Sequence, residues 1–223
     1  MSTGPRVRLA TEADAPGLLA IYGPVVRDTA ISFELDPPSL EEMRNRVRTT
    51  LEHWPWLVAE DVPTVRSAPS LLGYAYAGPF RARPAYRWTV ETTVYVHAEC
   101  QRRGVGIALY TALLDILRAA GYRSVVGGIT LPNPPSVALH ERLGFRHVGT
   151  FASAGFKLGS WRDVGFWQVD LRGDEPPPSP PRPLSSLVTT PEWHTALCTG
   201  ERHLRGKAAA GPPRLPEKPE PGA

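Results

Sequence analysis

Val94-Tyr-Val-His-Ala-Glu-Cys-Gln-Arg-Arg-Gly-Val-Gly-Ile107 reads as a strand that passes through a glycine turn into a helix. The Val-Tyr-Val start has the branched and aromatic character of a strand. Leu109, Leu113, Ile116, Leu117 and Ala120 then recur at helical spacing as a buried stripe. Gly104 and Gly106 keep Cβ atoms out of the turn, so a ligand can reach the backbone. The free N–H groups of the helix's first turn converge there, and the helix dipole favours an anion. Arg102 and Arg103 add positive charge, and a pyrophosphate suits such a place. The dinucleotide fingerprint needs a third glycine, and the Walker pattern needs Gly-Lys-Ser/Thr; both are absent. Spacing alone leaves two equal readings, a plain strand–helix turn and a phosphate site.

Outward from this segment, strands and helices alternate. Arg6–Ala10 predicts a short strand, and Thr11-Glu-Ala-Asp14 a helix start whose threonine hydroxyl caps a backbone N–H. Ser39-Leu-Glu-Glu42 is a capping box, followed by Met43, Val47 and Leu51 on one face. Trp56–Ala59 and Leu71–Ala77 predict a hairpin, Trp88–Val96 a strong strand, and Arg123–Ile129 another. Ser136–Leu143 predicts a short helix ended by Gly144. Two last strands, near 145–152 and 163–171, flank the turn Lys157-Leu-Gly-Ser-Trp. The fold class is mixed α/β, a sheet flanked by helices.

Of the 25 prolines in 223 residues, twelve lie between 174 and 223, beginning with EPPPSPPRP. Such a segment lacks the apolar density to offset its ordering entropy. The expected organisation is one folded domain over 1–172 and a mostly disordered tail over 173–223. Within that tail only the stretch starting Pro191-Glu-Trp193 looks able to dock. Lys+Arg exceeds Asp+Glu by 25 to 22, a formal net charge of +3, which is too small a surplus for a nucleic-acid footprint. No apolar run is long enough for a membrane span, and the N-terminus lacks a signal-peptide core. Cys100 and Cys198 form no metal-ligand spacing. A cytoplasmic protein with no metal, nucleic-acid or membrane partner is expected.

The sequence resembles the GNAT acetyltransferase superfamily. Gln101-x-x-Gly104-x-Gly106 after a Val-Tyr-Val strand matches its acyl-CoA signature. Asn133-Pro-Pro-Ser-Val-Ala-Leu-His-Glu-Arg-Leu-Gly-Phe145 matches its second element. Similarity is greatest to the phosphinothricin N-acetyltransferase branch, through Pro55–Glu60, Tyr74–Pro79, Thr93–Val96, Leu131–Asn133, Ala154–Lys157 and Asp163–Gln168. Two departures stand out. The connection 61–70 is longer than the family's, and Gly128 and Thr130 replace a valine and a glycine in the strand lining the substrate cleft. The resemblance implies a partly splayed sheet, a homodimer, and acetyl-CoA as cosubstrate. It puts the pyrophosphate on Arg102, Arg103, Gly104, Val105, Gly106 and Ile107, the pantetheine arm along Val94, Tyr95 and Val96, and a hydrogen bond on Asn133. The implied reaction is N-acetylation of phosphinothricin or a related glutamate-like amino acid. Another amine, such as methionine sulfone or sulfoximine, another amino acid or a protein N-terminus, is the alternative acceptor. A non-catalytic acyl-CoA-binding module is the alternative class.

Acetyl transfer to an amine needs a proton removed from the ammonium and a proton for the leaving thiolate. Glu91 shares a strand face with Thr93 and Tyr95, opposite Val90, Val94 and Val96. By pattern it is either a strand-end carboxylate in water or a placed base; the resemblance makes it the general base. His140 by pattern is a surface or satisfied core histidine; the resemblance puts it where an acid or base acts on the thiolate. Tyr110 is a weaker candidate acid, equally explained by helix packing. Arg81, Arg83 and Tyr86 interleave charge with aromatic surface and read as a solvated loop or as a carboxylate- and phosphinate-binding wall. Phe33 is expected to close the acceptor pocket, with Thr93 and Thr130 lining it.

Overall fold

The strand that carries the glycine turn, β4 (Thr89–Val96), lies in the middle of a seven-stranded sheet, and the rest of the chain is arranged around it. The computed structural model describes residues 4–61, 70–171 and 179–208. The elements in chain order are β1 (Arg6–Leu9), α1 (Ala15–Asp28), α2 (Leu40–Leu51), β2 (Trp56–Asp61), β3 (Ser70–Pro79), β4, α3 (Val105–Ala120), β5 (Ser124–Leu131), α4 (Pro134–Arg142), β6 (Arg146–Lys157), β7 (Ser160–Asp170) and α5 (Pro191–Ala208). The sheet order is β1-β2-β3-β4-β5-β7-β6, antiparallel throughout except between β4 and β5. This is the mixed α/β class expected from the sequence. The long connection between β2 and β3, residues 62–69, lies outside the described residues.

Period-2 alternation in β2 and β3 builds two cores. Trp56, Val58 and Tyr74 point to one face, against Leu18, Tyr22 and Val26 of α1 and Met43 and Val47 of α2. Leu57, Ala59 and Ala75 point to the other, against Leu109, Leu113 and Leu117 of α3. Ser39 caps α2 as expected, accepting a 3.1 Å hydrogen bond from the Glu42 N–H. Thr11 opens the helical segment as expected, as the N-cap of a capping box with Asp14. Its hydroxyl donates to Asp14 Oδ2, which also accepts from the Thr11 N–H at 2.7 Å, and α1 begins only at Ala15 after a 3-10 turn. The β6–β7 hairpin is longer than predicted and closes through Leu158 and Gly159, both at positive φ. That pairing of left-handed residues matches the right-handed twist of the flanking strands.

The expected disordered tail is corrected for residues 179–208. They form a 3-10 turn at Leu184–Ser186 and the eighteen-residue helix α5, which lies along α3 and reaches β1. Leu184, Leu187, Trp193, Ala196 and Leu204 are buried in the α3-side core. A Cβ at Gly200 would lie 2.5 Å from the Ala108 carbonyl oxygen and 2.9 Å from the Ala112 Cβ, so small residues on both helices permit a close approach. Glu201 accepts from the Val7 N–H at 3.2 Å and so occupies a donor on the edge strand. Proline density concealed this helix because the apolar residues of α5 are few and widely spaced. Residues 172–178 and 209–223 of the predicted tail lie outside the described residues.

Candidate active site

The parallel ladder between β4 and β5 holds for three residue pairs, Thr89–Ser124, Val90–Val125 and Glu91–Val126. Beyond Glu91 the two strands part. Residues 92–96 of β4 stay paired with β3, and residues 127–131 of β5 stay paired with β7. Such a gap leaves polar groups along two inner edges, where an extended amide chain can add as a strand does.

The glycine turn follows at the end of β4. Arg102 has φ 61° and Gly104 φ 88°, and Gly104 immediately precedes α3. A backbone curled through left-handed residues forms the kind of concavity in which successive N–H groups meet an anion. Gly106 has a second use. A Cβ there would meet Leu139 Cδ2 at 3.0 Å, so its absence lets the first turn of α3 approach α4. Val105 is buried, Ile107 half-buried and Arg103 exposed. Asn133 caps α4, its Oδ1 accepting from the Ser136 N–H at 3.3 Å, which commits the acceptor atom of this side chain to the helix.

Glu91 and His140 both border the opening, on opposite faces of β5. A Cβ at Gly128 would lie 3.3 Å from Glu91 Oε1, and a Cβ at Gly127 would lie 2.6 Å from His140 Nε2. Consecutive residues of a strand face opposite ways, so the bare pair Gly127-Gly128 brings one titratable group close to each side. Glu91 is half-buried, and burial pushes its carboxyl above the ordinary range while the Arg81 charge pulls it back. His140 is 3% exposed. Its Nδ1 lies 2.7 Å from the Ser136 carbonyl, which can only accept, so Nδ1 carries the proton. Nε2 then offers its lone pair to the Tyr110 hydroxyl, 3.2 Å away. Burial lowers the His140 pKa against the opposing pull of the Ser136 carbonyl, so the ring is neutral near pH 7. Burial raises the Tyr110 phenol well above its ordinary value, which makes it a poor acid by itself.

The Glu91 face has aromatic walls. Phe166 pairs with Gly128 across the β5–β7 ladder, and Tyr76 pairs with Thr93 across β3–β4. Thr130 donates to the Ile31 carbonyl at 3.2 Å, tying the α1–α2 connection to the end of β5. Phe33, 38% exposed, lies on that connection with its ring against Gly155. Arg81, Arg83 and Tyr86 sit exposed on the β3–β4 connection. The Arg81 guanidinium stacks 4.3 Å over Phe80, whose ring meets Tyr86 edge-on. The structure therefore brings Glu91, Thr93, Thr130 and Phe33 to one side of the opening and His140 with Tyr110 to the other. Phe166 and Tyr76 stand in the quoted strings Asp163–Gln168 and Tyr74–Pro79 but are not singled out there as wall residues. Each is one of several aromatic or charged residues in a strand, and only cross-strand register selects it. Among the described residues no group of three or more His, Cys, Asp or Glu side chains is placed to hold a metal, and no helix is long and apolar enough to cross a membrane.

The acetyltransferase (GNAT) domain family matches residues 7–165. The phosphinothricin N-acetyltransferase of Streptomyces viridochromogenes is 44% identical over 182 residues, covering 82% of this chain and 94% of that protein. An L-methionine sulfoximine/L-methionine sulfone acetyltransferase of Pseudomonas aeruginosa is 37% identical, covering 74% and 94%. Among solved structures, a GNAT superfamily phosphinothricin acetyltransferase from Sinorhizobium meliloti in complex with AcCoA superposes with a TM-score of 0.73 at 35% identity, covering 80% of this chain and 95% of that one. With the glycine turn, the parted strands and this family match together, the chain belongs to the GNAT family of acetyltransferases.

Proposed function

We propose that the protein transfers the acetyl group of acetyl-CoA to the α-amino group of phosphinothricin or a related glutamate-like amino acid. The observation that carries the reading is a half-buried carboxyl at the point where β4 and β5 separate. The names of the relatives support an amino-acid acceptor, and the parted strands and glycine turn fit an elongated cosubstrate ending in phosphates. Acetyl-CoA supplies the acetyl group in activated thioester form. Val94, Tyr95 and Val96 would pair with its amide arm, and the turn from Arg102 to Ile107 would receive its pyrophosphate. Glu91 takes the first proton from the acceptor's ammonium, directly or through one water. The second amine proton ends on the departing sulfur. His140, unprotonated at Nε2 in the resting protein, is the carrier we assign to it: the single Nε2 lone pair takes the proton once the Tyr110 hydroxyl turns away from it, and returns it to sulfur. Arg81 and Arg83 would meet the anionic head of the acceptor, and Phe33, Thr93 and Thr130 its side chain.

The methionine sulfoximine relative and the residues Gly128 and Thr130 on the Glu91 face favour a second acceptor of the same size. A panel of phosphinothricin, methionine sulfoximine, methionine sulfone, glutamate and an N-terminal peptide, with thiol release followed, decides between them. Phosphinothricin is expected to give the highest kcat/KM; no thiol release with any amine overturns the reading. Homodimerisation is also proposed. Val148, Phe151, Phe156, Leu158 and Trp161 are exposed on the β6–β7 hairpin, a cluster of the kind that marks interaction surfaces.

Gly106→Val is expected to weaken acetyl-CoA binding. The new side chain meets Leu139 and separates α3 from α4, displacing N–H groups that would face phosphate. A hydrogen bond to a charged group is worth about 1.5–3 kcal/mol, so titration calorimetry should register a loss of about tenfold or more. Unchanged affinity would place the phosphates elsewhere.

A further inference from the structure

Lys157 closes β6 beside a two-residue hairpin turn, where a long charged side chain ordinarily points to water. Here it is 5% exposed. Its Nζ donates to the carbonyls of Val26, Ser32 and Glu34, each at 2.7 Å. An ammonium has three protons, and all are used. Among the described residues no carboxylate pairs with it; the charge is met by three carbonyl dipoles. Val26 lies in the last turn of α1, where the helix dipole adds to the attraction. Burying an ammonium is costly unless its hydrogen bonds are complete, so this geometry is demanding.

All three bonds run to the end of α1 and the connection after it. The same short stretch has further ties. The Ser32 hydroxyl meets the Tyr22 hydroxyl at 2.7 Å, the Ile31 carbonyl accepts from Thr130, and Glu34 pairs with Arg46 at 2.6 Å. Connections of this kind normally run over the surface with few buried ties. This one carries Phe33 against Gly155, beside the strands that line the Glu91 face.

We propose that Lys157 is a positioning residue of the acceptor pocket, its buried ammonium fixing the connection 29–35, and with it Phe33, over the Glu91 side of the opening. The proposal rests on the acetyl-transfer reading above. A fixed wall holds the acceptor in a reactive pose, whereas a loose one admits many poses and spends binding energy on ordering. Lys157 makes no hydrogen bond to Val94–Val96 or to the turn from Arg102 to Ile107, where the cosubstrate is proposed to bind.

The test compares the full chain with Lys157→Met, which keeps length and removes charge and donors, and with Lys157→Gln, a milder variant that keeps an N–H donor and serves if the methionine protein does not fold. The acceptor is the best amine of the panel, and acetyl-CoA affinity is measured separately by calorimetry. The expected result is a rise of about tenfold or more in acceptor KM for Lys157→Met, smaller for Lys157→Gln, with acetyl-CoA Kd within about twofold. Amide exchange over 29–35 should quicken in both variants while α3 stays protected. An unchanged acceptor KM in a folded variant overturns the proposal and leaves the activity standing. A wild-type chain that turns over no amine overturns the activity first, and this inference with it. Equal losses for acceptor and acetyl-CoA would show general destabilisation and also defeat it.

Discussion

Replacing Glu91 with glutamine is expected to lower kcat by about 10²–10⁴-fold, the usual contribution of a general base, while acetyl-CoA binds as before. Glutamine keeps the shape of the side chain over Gly128, which it would approach as closely as the carboxylate does, so the strands need not move. What disappears, under the proposed chemistry, is the group that would accept a proton from the ammonium. The pH profile gives a second reading of the same experiment. Burial raises the Glu91 carboxyl above its ordinary 4.5, and Arg81 only partly offsets this. The working form is the deprotonated one. The wild-type kcat/KM should therefore fall with decreasing pH through a limb above 4.5, and the Glu91 contribution to it should be absent in Glu91→Gln, leaving only that of His140. A variant that retains both the rate and the acid limb would remove Glu91 from the chemistry.

Ending the chain after residue 175 is expected to destabilise the whole domain, contrary to what proline content suggests. The missing segment takes with it Leu184, Leu187, Trp193 and Leu204, all buried. It also uncovers the flank of α3 around Ala108 and Ala112, where Gly200 makes its close approach. Burying one large apolar side chain contributes about 1.5–3 kcal/mol, and a domain has only about 5–15 kcal/mol to lose. A melting temperature lowered by about 10 °C or more, or insoluble protein, is the expected outcome of thermal unfolding. A truncated chain with unchanged melting and activity would mean that α5 does not support α3.

The parts of this molecule that were legible in sequence are those where one residue type has one mechanical use. Gly144 marks a left-handed stop after a helix, Ser39 a cap, and the Trp88–Val96 run a strand. These are local statements, and the structure repeats them. The α5 contact was harder, because Trp193, Ala196 and Leu204 are spread across a segment rich in polar residues and preceded by prolines. A clue existed on its partner. In α3 the buried set includes Ala108, Ala112 and Leu114 as well as the predicted stripe, and a helix apolar around most of its girth has something on both sides. Lys157 was illegible for a different reason. Its partners are carbonyl oxygens, which every residue possesses, so no spacing announces them.

Gly127 and Gly128 have a consequence for how protons travel. At these two residues β5 is a partition, with the carboxyl on one bank and the imidazole–phenol pair on the other. Under the proposed chemistry, the first amine proton leaves on the carboxyl side and the second reaches sulfur on the imidazole side, and the two routes meet only where substrate bridges the slot. A methyl group at 128 would crowd the first channel alone, and one at 127 the second alone, so two adjacent alanine exchanges offer independent valves on a single reaction.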